Sequence, residues 1–177
     1  MKTQGIVFVI CLVLMQAGMA QEFNKFKVGF GLGITLSGSN GYGSVPGGIF
    51  TIEPAYRLTD DLAIGLRYEN ALNGNILFDE YPTSINSYTI NGQYYLSRSK
   101  FRPFVGLGGG LYRVAVLDFY SPTVSKIGVY PRIGFDAGQF TLACEYNFIP
   151  PSTESGYPIQ NSYFGFRIGG FFGGRRK

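Results

Sequence analysis

The stretch KFKVGFGLGITL, Lys25 to Leu36, alternates large apolar residues with small or polar ones. One parity holds Phe26, Val28, Phe30, Leu32, Ile34 and Leu36, and the other holds Lys27, Gly29, Gly31, Gly33 and Thr35. A repeat of two residues is that of a β-strand, because successive side chains point to opposite faces of a sheet. The stretch therefore predicts a strand over residues 26–36 with one apolar face and one face of glycine, threonine and Lys27.

The same alternation recurs in seven later segments, and no segment after residue 20 has a sustained helical repeat. These segments are IFTIEPAYRL (49–58), LAIGLRYEN (62–70), YTINGQYYL (88–96), PFVGLGGGLY (103–112), GVYPRIGFD (128–136), FTLACEYNF (140–148) and YFGFRIGGFF (163–172). Tight turns alternate with longer connections between them. An up-and-down meander of eight antiparallel strands would place all the turns at one end and all the loops at the other, as in membrane barrels with short periplasmic turns.

The first twenty residues predict a cleaved signal peptide, which leaves residues 21–177 as one barrel domain. Lys2 supplies positive charge, residues 6–15 form an apolar run, and residues 17–20 offer small side chains for cleavage. The run is shorter than the roughly twenty residues of a membrane-anchoring helix. Cleavage would leave Cys144 as the single cysteine, so no intramolecular disulfide is expected.

The composition and the motifs exclude several classes of function. The chain has no histidine, so Ser-His-Asp catalysis and the common zinc sites are ruled out. The run GLGGGL at 106–111 lacks the spacing and the following helix of a dinucleotide site. The basic tail at 175–177 has no groove-reading motif beside it, so no nucleic-acid partner is expected. We therefore expect neither an enzyme nor a bound cofactor or metal.

The size of the apolar side chains indicates which face lies outside. Eight strands enclose a lumen only just wide enough for side chains, and the apolar parity is almost entirely Phe, Tyr, Leu and Ile. We therefore predict that this parity faces lipid, with aromatic girdles near the strand ends formed by Tyr56, Tyr68, Tyr94 and Tyr146. Closing the sheet would give every strand's backbone groups a hydrogen-bond partner, which hydrocarbon cannot provide. A soluble β-sandwich and a soluble carrier barrel remain as alternatives.

Nine charged residues share the inward parity. They are Lys27, Glu53, Arg57, Arg67, Glu69, Arg132, Asp136, Glu145 and Arg167. Because a buried charge needs a partner, we interpret this set as a structural network of ion pairs and hydrogen bonds that plugs the lumen. Under a catalytic interpretation one carboxylate would act as a general base. Nothing in the sequence places two of these carboxylates at an accessible site.

The pattern as a whole resembles the small outer-membrane β-barrel families, namely the transmembrane domain of outer membrane protein A and outer membrane proteins X and W. The resemblance covers residues 21–174 and rests on the signal, the eight strands, FRPFVGLGGGLY (101–112), PRIGFDAGQFTLACEYNF (131–148) and SYFGFRIGGFFGG (162–174). It implies a monomer in the bacterial outer membrane with both chain termini on the periplasmic side. Its implied partners are membrane lipid and the barrel-assembly machinery, which would read the last strand.

These families imply structural, adhesive or passive-transport roles. We expect a non-enzymatic outer-membrane barrel with a plugged polar lumen, whose long extracellular loops serve structural or binding roles toward an unidentified ligand. A passive channel or carrier for small solutes is the first alternative. A lipid-modifying outer-membrane enzyme is the second.

Overall fold

The computed structural model describes residues 23–37, 45–73, 83–116, 123–154 and 157–174. The strands in these ranges are β1 (Phe26–Ser37), β2 (Val45–Arg57), β3 (Leu62–Asn73), β4 (Thr83–Tyr95), β5 (Phe101–Val116), β6 (Val124–Ala137), β7 (Phe140–Asn147), β8 (Ser152–Glu154), β9 (Tyr157–Ile159) and β10 (Tyr163–Gly173). Within the same ranges, no helix has the length and apolarity needed to cross a membrane. The predicted signal peptide lies outside the described residues, as does much of the first three long loops.

Eight of the strands form one closed antiparallel barrel, in the order β1-β10-β7-β6-β5-β4-β3-β2. The first and last strands close it, with pairs that run from Lys27–Gly173 to Ser37–Tyr163. Each remaining pair joins strands that are consecutive in the barrel meander. The eight-stranded up-and-down barrel predicted from the alternation is thus confirmed.

The structure differs from the prediction at the loop ends of the strands. β2, β4 and β6 begin at Val45, Thr83 and Val124, and β5 extends to Val116. The added parts of β2 and β4 are rich in glycine, serine and asparagine, which have low strand propensity. Pairing with the neighbouring strand overrides that propensity, because each added residue gains partners along an existing ladder.

The fourth long loop contains a short hairpin that the sequence did not reveal. β8 pairs with β9 from Ser152–Ile159 to Glu154–Tyr157, apart from the barrel wall. Strands of three residues are too short for an alternation to stand out.

The two parities of each strand lie on opposite sides of the barrel wall. Leu32, Ile90 and Ile168 are 63%, 66% and 59% exposed on the outside. In contrast, Arg57 and Arg67 are only 2% and 1% exposed on the inside. The apolar side chains therefore form the exterior and the charged ones fill the interior, which is the reverse of a soluble carrier barrel.

Inward-facing glycines make room for the large inward-facing side chains. In the pairing of β5 with β6, Gly106 lies opposite Arg132 and Gly108 lies opposite Tyr130. A Cβ atom added to Gly106 would lie 3.0 Å from Arg132 Cγ, and one added to Gly108 would collide with the ring of Tyr130. The glycine face of the strands is thus the space into which arginine and tyrosine side chains from neighbouring strands fit.

Two prolines interrupt the hydrogen-bond ladders without opening the barrel. The pairing of β2 with β3 skips Glu53 and Pro54, and the pairing of β6 with β7 ends at Arg132, next to Pro131. Proline has no N–H to donate to a ladder. Each proline is still paired on its other side, Pro54 with β1 and Pro131 with β5.

The glycine packing predicts that one of two matched substitutions destabilises the barrel and the other does not. Gly108→Ala places a methyl group against the Tyr130 ring and should lower the free energy of unfolding by about 1–3 kcal/mol. Gly92→Ala is the control, because a Cβ at Gly92 would meet no atom within 4 Å. Urea unfolding of both variants in lipid vesicles measures the difference. Equal stability of the two variants would contradict this packing.

Candidate functional site

Six of the nine predicted charges form one chain of alternating ion pairs along the lumen. In order these are Arg132, Glu53, Arg167, Glu145, Arg67 and Glu69, and we call them the lumen ion-pair chain. They come from five strands of the barrel: β6, β2, β10, β7 and β3. The three positive and three negative groups balance, so these six residues together carry no net charge. That balance matters because an uncompensated charge in a dry interior is strongly destabilising.

The first half of the lumen ion-pair chain is held by a bidentate contact. Arg132 donates to both carboxylate oxygens of Glu53, with Nη1–Oε2 and Nη2–Oε1 distances of 2.8 and 2.6 Å. Arg167 links this pair to the next, since its Nη1 lies 3.7 Å from Glu53 Oε2 and its Nη2 lies 3.1 Å from Glu145 Oε2. The bidentate contact between Arg132 and Glu53 fixes the mutual orientation of the two planar groups as well as their separation.

The second half is completely buried. Arg67 contacts Glu145 with an Nη1–Oε2 distance of 2.6 Å and Glu69 with an Nη2–Oε2 distance of 3.1 Å. The side chains of Arg67, Glu69 and Glu145 are 0% exposed. The Tyr163 hydroxyl donates to Glu69, and the Tyr130 ring lies 3.7 Å from Arg67 Cζ. An aromatic face and a hydroxyl group thus supply some of the contacts that water would otherwise give.

Neutral polar side chains take up further donors of the arginines. Arg132 donates to Asn91 at 3.3 Å and also to Gln93. Arg167 donates to Thr51 Oγ1 at 2.9 Å. These neutral partners lie on the inward parity of β2 and β4, and charge alone would not have identified them.

Lys27 and Asp136 form a separate ion pair nearer the turn end of the barrel. Lys27 Nζ lies 2.5 Å from Asp136 Oδ2, and the Tyr95 hydroxyl donates to the same oxygen at 2.9 Å. Lys27 Nζ also lies 4.0 Å from the centre of the Phe171 ring. Within the described ranges this pair forms no ion pair with the six charges above, so the nine predicted residues do not form one continuous network.

Arg57, the ninth predicted residue, forms no ion pair within the part of the chain that the structure describes. Its Cζ lies 4.8 Å from the Phe23 ring centre and 5.1 Å from that of Tyr95. Arg102 stacks on the same two rings at 3.9 Å each. The two guanidinium groups and two rings form a cation–π cluster inside the barrel near its turn end.

Arg102 was missed in the sequence analysis. It is 3% exposed, and it donates to the carbonyl oxygens of Ser97, at 3.1 Å, and Asp60. The predicted fifth strand began at residue 103, whereas β5 begins at Phe101. Extending that strand by two residues would have placed Arg102 on the inward parity.

The lumen is filled in the middle and at the loop end, and it opens into a cavity at the turn end. Next to the ion-pair chain is a cavity of about 30 Å³, enough for one or two water molecules. At the loop end, a buried apolar cluster of Ile49, Ala71, Ile85, Tyr112, Val114, Tyr130, Ile149 and Tyr163 lies inside the barrel. At the turn end, an open cavity of about 510 Å³ reaches as far as Arg57 and Arg102. The described ranges contain no group of three or more metal-ligating side chains.

Comparison with known proteins supports the fold. The barrel is similar to Neisserial surface protein A (NspA), with a TM-score of 0.64 and 19% identity over 82% of this chain and 94% of that one. It is also similar to the N-terminal β-barrel domain of OprF from Pseudomonas aeruginosa, with a TM-score of 0.51 and 12% identity over 86% of this chain and 100% of that one. No protein-family model and no curated protein sequence matches the chain. The chain therefore has the transmembrane β-barrel fold of small outer-membrane proteins, as predicted.

The lumen ion-pair chain predicts a large effect of removing one buried carboxylate. Glu145→Gln leaves Arg67 and Arg167 without the negative charge they share, and should lower the free energy of unfolding by about 3–5 kcal/mol. Urea unfolding in lipid vesicles at neutral pH measures this change. A loss below about 1 kcal/mol would contradict a lumen in which these charges are buried and paired.

The exposed pair of Arg98 and Asp61 in the turns provides the control. Their side chains are 60% and 24% exposed, so Asp61→Asn should change stability by no more than about 1 kcal/mol. Hydrogen bonds from Arg98 hold the pKa of Asp61 below its usual value. The small contribution of this pair should therefore be present at neutral pH and be lost as the pH falls through that lowered pKa.

Proposed function

We propose that the chain is an integral protein of a bacterial outer membrane, with a lumen closed to solutes and loops that serve structural or binding roles outside the cell. In this proposal it is not an enzyme, and it works as a monomer. Its apolar exterior and the fold that it shares with small outer-membrane proteins support the membrane location. A surface of this kind is stable in hydrocarbon and not in water.

The filled lumen is the observation that carries the proposal. A solute that entered from the turn end would meet the Arg57–Arg102 cluster, then the lumen ion-pair chain, then the apolar cluster around Ile85. Passage would require the buried ion pairs to separate, which leaves charges unpaired in a low-dielectric interior. The structural or binding role is therefore assigned to the loops outside the cell and not to the lumen.

The proposed orientation places the turns and both chain termini in the periplasm. Gly174 donates its backbone N–H to Phe26 at 2.8 Å, so the first and last barrel strands meet at the turn end. The longer connections leave the opposite end, as in outer-membrane barrels with long extracellular loops. In this proposal β10 is the strand that the barrel-assembly machinery reads.

A passive channel or carrier is the second candidate, and one observation favours it. The open cavity of about 510 Å³ at the turn end is within the size range of pockets that hold small molecules. In this alternative the lumen ion pairs would rearrange to let a solute through. The function would then lie in the lumen, and the loops would have only a minor role.

Conductance in planar lipid bilayers separates the two candidates. The closed lumen predicts no steady channel from the purified protein. The double variant Glu53→Ala/Arg132→Ala removes the bidentate pair from the centre of the lumen and should give measurable openings, which shows that the assay detects an open barrel. Steady conductance from the unaltered protein would overturn the proposal in favour of a channel.

A further inference from the structure

The exterior of the barrel has one charged residue within the described strands. Arg113 is exposed and has the outward parity of β5, which it shares with Leu107 and Leu111. The other outward-facing positions of the eight described barrel strands are apolar, aromatic or neutral polar. Arginine is costly on the lipid-facing side of a barrel at the midplane and is tolerated near the interfaces. Its position near the loop end of β5 fits an interface.

Neutral polar residues flank Arg113 on both sides in a single row. Asn70 pairs with Asn86, Asn86 pairs with Arg113, and Arg113 pairs with Ser125, on the four adjacent strands β3 to β6. We call these four residues the donor row. At the usual spacing between strands it is roughly 14 Å long. It contains no carboxylate, so its charge is that of Arg113.

The donor row lies on one side of the barrel only. On the other four strands, the outward residues near the loop end are apolar or aromatic, with no charge and no amide: Leu36, Pro46, Tyr146 and Phe164. If the row were polar only because the barrel wall leaves the membrane there, the loop ends of all eight strands would be polar. The polar side is therefore a local feature of β3 to β6.

Hydrogen bonds orient the donors in this row. Asn86 Oδ1 accepts from the Tyr68 hydroxyl at 3.1 Å and from Asn70 Nδ2 at 2.8 Å. With its oxygen occupied in this way, Asn86 presents its Nδ2 hydrogens beside Arg113. The guanidinium, the Asn86 amide and the Ser125 hydroxyl are thus neighbouring donors that can share one anion.

An apolar row runs directly beneath the donor row, toward the centre of the barrel wall. Tyr68, Tyr88, Leu111 and Ile127 are consecutive cross-strand partners there. The rings of Tyr68 and Tyr88 lie 5.3 Å apart, and Ile127 is 77% exposed. A row of donors above a row of apolar side chains matches an amphiphile with an anionic headgroup above acyl chains.

We propose that the donor row binds the phosphate headgroup of an anionic lipid in the outer leaflet, while the apolar row contacts its acyl chains. The inference rests on the proposed outer-membrane location, because only there would these rows lie in a bilayer. Arg113 supplies the charge, and Asn86 and Ser125 supply hydrogen bonds to the phosphate oxygens. The complementarity between a lone cation with neutral donors and a phosphate group identifies the occupant.

Native mass spectrometry of the full chain tests this binding. The protein is released from phosphatidylcholine nanodiscs that contain about 10% lipid A, a glycolipid with phosphate groups. We expect one lipid A molecule to be retained on most copies of the parent. Arg113→Gln and Asn86→Leu should each reduce that retention at least fivefold. Lys25→Gln, which removes one exposed positive charge at the turn end, is the matched control and should retain lipid A like the parent.

Each other outcome overturns the inference. Retention that is equal in all the variants would mean non-specific attraction, and release of a dimer without lipid would identify a second copy as the occupant. Heat-dependent mobility on SDS gels reports separately whether each variant forms the barrel. If the barrel inserts but does not retain lipid A, only lipid binding by the donor row is contradicted. If the chain does not insert, the proposed function is contradicted as well.

Discussion

The pairing of β1 with β10 is the constraint on which the rest of the structure depends. Hydrocarbon offers no partner for a backbone N–H or C=O group, so a sheet that crosses a membrane must close on itself. Here closure joins strands from the two ends of the described chain, from Lys27–Gly173 to Ser37–Tyr163. With eight strands, closure also fixes a lumen that is just wide enough for side chains. The choice of inward residues follows from that narrow width.

A narrow lumen that must be filled accounts for both the glycines and the charges. Small residues such as Gly106 and Gly108 lie opposite Arg132 and Tyr130, so each bulky side chain occupies the space its neighbour leaves. The charged groups then meet across the lumen and pair. Such pairs add less to stability than their Coulomb attraction suggests, because both partners lose water. Their larger effect is to penalise any arrangement in which one of them is left alone.

The alternation along each strand predicts much of this structure. It identified all eight barrel strands and the inward parity of the nine charges, because the repeat of two residues depends only on local geometry. It could not identify partners. Glu53 meets Arg132, 79 residues away, and Tyr163 meets Glu69, 94 residues away. These contacts depend on the stagger of strands that are not neighbours in the barrel, which no local pattern records.

The donor row was missed for a related reason, since Asn70 and Ser125 are brought into line with Arg113 only by the register of three strand pairs.

In the proposed arrangement, the apolar parity faces lipid while the charged parity faces a closed lumen. Nuclear Overhauser effects between lipid acyl chains and protein side chains test it most directly, in nanodiscs with isotope-labelled protein. This arrangement predicts contacts to acyl chains from Leu32, Ile34 and Ile168 and none from Lys27 or Arg167, together with cross-strand contacts between Gly31 and Gly169. Acyl-chain contacts from Lys27 and Arg167, with Leu32 and Ile168 protected from lipid, would contradict it.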